Sequence, residues 1–202
     1  MLFTTKIMLA SVNNLTDARF AAAAGLDFLG FNFEKGHPGF IEPVKAKEVV
    51  GWVSGPLLVG EFSSYDADDI NSVAGYMNLD YVLVKSGELD HLLPGIQFPL
   101  MLGIDMNELG SFEELSMMLA RLHSKVNYFV ISNLTDEKVS GDLLQEYNVL
   151  WKPSGNPQDI KTEFAKLKPA GLVLNGMDET QIGIRNFEEL SETLEMFREE
   201  TL

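Results

Sequence analysis

The chain has 202 residues, 46% of them hydrophobic, and a net charge of −15 at neutral pH. That length supports one sizeable core and is short for two, so a single domain spanning residues 1–202 is expected. The acidic balance argues against a nucleic-acid or anionic-membrane partner, since both need clustered Lys and Arg, and the lack of cysteine excludes disulfides, thiolate metal sites and a cysteine nucleophile.

In chain order, the opening stretch MLFTTKIMLASV carries one Lys and a short apolar run without a signal-peptide sequel, and reads as a strand. No apolar run reaches the roughly 20 residues of a spanning helix, and a cytoplasmic location is the expectation. Asn14–Phe33, NLTDARFAAAAGLDFLGFNF, then sets a unit that the rest of the chain repeats. Asn14 caps a helix and Asp17 completes a capping box. Ala18, Ala21, Ala22 and Gly25 fall at i, i+3, i+4 and i+7, leaving one helix face almost bare for close packing on a sheet. Gly25 suits the left-handed residue after a helix. The apolar run that follows is the mark of a strand covered on both faces, and hence of a parallel sheet with outer helices.

Strands are predicted at Lys6–Ala10, Phe28–Phe33, Leu57–Phe62, Tyr81–Lys85, Leu100–Ile104, Tyr128–Ser132, Val149–Lys152 and Gly171–Asn175. Between them lie helical stripes: Ala46, Val49, Val50 and Val53 behind Pro43; Ile70, Val73, Ala74 and Met77 behind Asp66, Asp68 and Asp69; Leu115, Met118, Leu119 and Leu122 behind a Ser111–Glu114 capping box. Asn156 and Pro157 start a further helix with Ile160, Phe164 and Leu167 inward, and Asn186 with Glu189 starts the last. Glu88–Leu93 is short for a helix, and Lys138–Tyr147 contains Gly141. Eight strands alternating with about eight helices predict an α/β fold, a (β/α)8 TIM barrel. The rival, a doubly wound open sheet, usually carries a Gly-rich first turn, and SVNN after the first strand is not one.

These residues resemble a known family. NLTDARFAAAAGLDFLGFNF is similar to the first helix and second strand of phosphoribosylanthranilate isomerase, a tryptophan-biosynthesis barrel that isomerises a phosphosugar. HPGFIEP (37–43) resembles that family's SPRYISP, NLDYVLVKSGE (78–88) its GLDVVQLHGDE, and GLVLNGMDETQIGIRNFEEL (171–190) its GVDVSSGVETSPGVKDFEKI. The resemblance implies the barrel fold. It also implies where the family chemistry would sit, and there the residues differ. Counting back from Asn14 without a gap puts Ala10 at the family's Cys general base, and Ser132 stands at its catalytic Asp. Gly39 replaces the Arg that holds the substrate carboxylate, and Lys85 replaces a His that faces inward. The A-G-G phosphate loop reads Lys152-Pro153-Ser154, whereas Glu179, Thr180 and Gly183 keep the E-T-x-x-G tail. Ala10 and Gly39 cannot move a proton, and Ser132 is too weak an acid or base near neutral pH without an activating partner.

Function in such barrels sits at the C-terminal ends of the strands. The candidates there are Asn32, Glu34, His37, Lys85, Asp105, Ser132, Lys152, Asn175 and Gly176. Strand alternation puts Asn32 and Glu34 on one face, and Leu83 with Lys85 toward the axis. Lys85 and His37 are the catalytic candidates. Lys85 can bind an anion or act as a Schiff-base nucleophile, against the plainer reading of an ion pair with Glu34 or Asp105. His37 can transfer protons or be an inert loop residue. Lys152 can replace backbone phosphate contacts by charge or snorkel at the surface. Three readings stay open: a family isomerase working through substituted residues, a non-catalytic barrel that binds a small anion (a phosphosugar among them) or a partner protein, and a different isomerase or lyase using Lys85. No cofactor and no metal site is implied, and a homodimer is left open.

Overall fold

The computed structural model describes residues 3–134, 141–176 and 188–198. Its strands are β1 (Lys6–Ala10), β2 (Phe28–Asn32), β3 (Leu57–Phe62), β4 (Tyr81–Lys85), β5 (Leu100–Asp105), β6 (Tyr128–Ser132), β7 (Val149–Lys152) and β8 (Gly171–Asn175). Its helices are α1 (Leu15–Ala24), α2 (Pro43–Val50), α3 (Ala67–Met77), α4 (Leu89–Leu92), α5 (Met106–Leu109), α6 (Phe112–Leu122), α7 (Gly141–Glu146), α8 (Pro157–Leu167) and α9 (Glu188–Glu195). The strands pair in parallel in sequence order, and β8 closes on β1. This is the expected eight-stranded barrel.

The local signals act as anticipated. Asn14 accepts the Asp17 amide at 2.9 Å, and Asn14 Nδ2 donates to the Asp17 carboxylate. Gly25 ends α1 at φ +79°. Asp66, Ser111 and Asn156 each cap a helix by accepting the amide three residues on. The Asn186 cap and the Glu179, Thr180 and Gly183 tail lie outside the described residues. β2 ends one residue earlier than predicted. The Asn32 side chain accepts the Glu34 amide at 3.0 Å, turning the chain out of the sheet.

Alternation divides the strands cleanly. Ile7, Leu9, Leu29, Phe31, Val82, Val84, Phe129, Ile131, Trp151 and Leu172 face the helices in one buried layer. The inward residues stack in rings drawn from alternate strands, as this fold requires. At the bottom, the even strands contribute Phe28, Tyr81, Tyr128 and Gly171. The three aromatic rings meet edge to face at 5.3–5.9 Å between centroids and plug the barrel floor. Gly171 leaves room where a Cβ would lie 2.5 Å from Leu150 and 2.6 Å from the Lys6 carbonyl. Above them Met8, Val59, Met101 and Leu150 come from the odd strands. Gly30, Leu83, Val130 and Val173 follow from the even ones. The barrel is therefore a packed core up to this height, and polar side chains begin only above it.

Candidate functional site at the barrel mouth

The next odd-strand ring is Ala10, Glu61, Gly103 and Lys152, and the even-strand rim above it is Asn32, Lys85, Ser132 and Asn175. A cavity of about 220 Å³ opens here, with Leu83 and Val130 among its apolar walls and Glu61, Lys85, Asp105, Ser132 and Lys152 among its polar ones. His37 reaches in from the loop after β2. Sequence reasoning named most of these groups but missed Glu61.

Glu61 is 8% exposed although it carries a carboxylate. Its burial is built by three neighbours. Ser11 donates its amide to Oε1 at 2.6 Å and its hydroxyl to Oε2 at 2.9 Å. Asn32 Nδ2 donates to Oε2 at 3.2 Å. Ser11 achieves this double contact by adopting a left-handed backbone, φ +56°, directly after β1. Gly30 supplies the space: a Cβ there would lie 2.4 Å from Glu61 Oε1 and 2.6 Å from the Met8 methyl. Among the described residues no cationic side chain comes within 4 Å of Glu61. The signal was present in LLVGEF, where Glu61 shares the inward face with Val59, the register partner of Gly30.

Lys85 emerges on the axis side with Leu83, while Val82 and Val84 face the helices, as alternation required. Its expected ion pair is not formed: no carboxylate among the described residues lies within 4 Å of its ammonium. Both proposed partners are committed elsewhere. Asp105 caps the Asn107 amide at 2.9 Å and accepts from Asn133 Nδ2 at 2.8 Å. Glu34 is not on the face of Asn32, because β2 has already ended. It lies outside the main cavity, in a shallow depression with Lys35, Ser64 and Tyr65. There it accepts the Ser63 and Ser64 amides and the Ser64 hydroxyl. Burial pushes the Glu34 carboxyl up, but these hydrogen bonds and the more distant Lys85 charge outweigh it, so its pKa falls below the ordinary value.

Ala10 sits inward at the mouth end of β1, 2% exposed, and Ser132 lines the cavity with its hydroxyl 3.5 Å from the Ile104 carbonyl. Lys152 lines this cavity and a neighbouring depression shared with Asn175, Gly176 and Gly39. His37 is exposed, and its Nδ1 accepts the Gly39 amide at 3.0 Å, which leaves the proton of the neutral ring on Nε2. Gly39 passes so close to Ser11 that a Cβ would lie 2.7 Å from the Ser11 Cβ. The loop in this conformation has no room for a larger residue there. Groups of acidic and His side chains with metal-holding geometry are absent among the described residues, and no helix among them is long and apolar enough to cross a membrane.

Fold and mouth together define a (β/α)8 barrel with a packed floor and a charged, open C-terminal end. No family model matches the chain. Over 86 residues it is 36% identical to N-(5'-phosphoribosyl)anthranilate isomerase of Chlorobaculum parvum, a stretch covering 42% of this chain but only 38% of that protein. The enzyme of the same name from Syntrophus aciditrophicus is 21% identical over 202 residues, covering 96% of this chain and 87% of the relative. The crystal structure of phosphoribosyl anthranilate isomerase from Thermotoga maritima superposes with a TM-score of 0.77 at 18% identity, over 96% of this chain and 98% of that one. The chain is thus similar in part of its sequence to enzymes of this name and shares the barrel fold of their solved structures.

Proposed function

We propose that the protein binds a small anionic molecule of the phosphosugar class in the barrel mouth, and that the isomerisation for which its relatives are named has been lost from this site. One observation carries the reading. Lys85 and Lys152 line the cavity and neither is paired with a carboxylate among the described residues, whereas Ala10 and Ser132 stand where the family resemblance expects base and acid. Ring opening of an aminoaldose needs one group to protonate the ring oxygen and another to take a proton from C2. A single general acid or base contributes roughly 10²–10⁴-fold, so replacing both removes most of the rate. Glu61 does not take the place of the missing base at β1, because it rises from β3 and is held in place there by Ser11 and Asn32. Lys85 is exposed, and lacks the desolvation that activates a lysine for Schiff-base chemistry.

The test is titration with ribose 5-phosphate and inorganic phosphate, read by thermal shift and calorimetry, on the wild type and on Lys85→Met and Lys152→Met. Saturable binding by the wild type that either substitution weakens at least tenfold supports the reading. Binding unaffected by both substitutions refutes it. Complementation of a tryptophan auxotroph lacking this isomerase is expected to fail.

A further inference from the structure

We infer that the ligand of this mouth carries an ammonium as well as an anion: it is a small zwitterion of the amino-phosphate class. The inference rests on the proposed anion-binding reading and narrows it.

The argument begins with the ring Ala10, Glu61, Gly103 and Lys152. β3 and β7 are separated by three strands whichever way the closed barrel is followed, so Glu61 and Lys152 rise from opposite walls. The other two members of the ring, Ala10 and Gly103, offer a methyl group and a hydrogen. Nothing bulky from that ring stands between the two charges, yet they do not meet within 4 Å. Both line the same cavity. Lys85 adds a second cation beside Glu61: Leu83 is the register partner of Glu61, and Lys85 lies two residues farther up β4, about 6.6 Å along the strand.

Glu61 is the group that asks for a cation. It is more than nine-tenths buried, its position is prepared by Gly30, Ser11 and Asn32, and no protein cation reaches it among the described residues. A buried carboxylate is costly unless it is paired or fully hydrogen-bonded. Its three hydrogen bonds leave Oε1 with a single donor, the Ser11 amide, and so with a lone pair unused. A plain phosphosugar would bring only hydroxyl groups to that oxygen, and its anion would be repelled by it. A molecule with an ammonium at one end and a phosphate at the other satisfies Glu61 and the two lysines together.

Two matched pairs of probes test this by calorimetry with the whole chain: glucosamine 6-phosphate against glucose 6-phosphate, and 2-aminoethyl phosphate against ethyl phosphate. In at least one pair the amino compound is expected to bind tenfold or more tightly. Glu61→Gln should remove that preference, bringing the affinities of the two members of the pair to within about twofold of each other. Lys152→Met should weaken both members. If the wild type binds amino and amine-free members equally, the inference fails while the anion-binding reading stands. If no member binds, both fail. The comparison within the wild type needs no substitution, so a poorly folded Glu61→Gln protein does not protect the inference.

Discussion

Ser11 holds Glu61 with two groups at once, its amide at 2.6 Å and its hydroxyl at 2.9 Å, and does so from a left-handed backbone at φ +56°. The residue after β1 is therefore folded around a carboxylate fifty residues away. That arrangement separates backbone strain from hydrogen bonding. Ser11→Gly and Ser11→Ala both lose the hydroxyl, but only the glycine relieves the backbone. Ser11→Ala is expected to be less stable than Ser11→Gly by about 1 kcal/mol in denaturant unfolding. Equal stabilities would show that the conformation is not strained.

Gly30 is the space that Glu61 fills. A methyl group there would meet Glu61 Oε1 at 2.4 Å, Met8 at 2.6 Å and the Ala10 backbone at 3.2 Å. Gly30→Ala should displace the carboxylate from its donors and destabilise the fold by about 1–3 kcal/mol, the usual range for overpacking. Urea midpoints of the two proteins check it, and an unchanged midpoint would mean that the ring around Glu61 can relax freely.

Glu34 ties the loop after β2 to the loop after β3 through Ser63 and Ser64. Its carboxyl pKa is lowered in the folded state from an ordinary value of 4.5. The sign follows: the latch stabilises the protein above that ordinary value, and its contribution is lost as pH falls through the lower folded value. Ser64→Ala should melt below the wild type at pH 7, with the gap closing as pH falls through the lowered folded value of Glu34. A gap independent of pH would show that the serine acts through packing rather than through the carboxylate.

Much of this architecture is legible in the sequence. Each of the eight strands begins where its apolar run predicts, because a strand buried on both faces has no competing pattern, and the caps at Asn14, Asp66, Ser111 and Asn156 act locally. Lys85 and Ser132 face the mouth as alternation and the family resemblance imply. Other features depend on contacts between segments distant in sequence. Glu61 looks like a lone charge in LLVGEF until Ser11 and Asn32 are brought beside it. Glu34 leaves the face of Asn32 because the Asn32 side chain turns the chain at its own residue. The ion pair expected for Lys85 fails because helix capping by Asp105 and loop latching by Glu34 take both carboxylates first.

The proposed loss of isomerase chemistry from this charged barrel mouth is tested most directly by steady-state turnover of phosphoribosylanthranilate by the purified protein. The expected result is no rate above the uncatalysed background at any enzyme concentration, if Ala10 and Ser132 stand where the family resemblance expects base and acid. A turnover number within tenfold of the roughly 10 s⁻¹ typical of enzymes would contradict the account, and would mean that another group in the mouth has taken over the proton transfers.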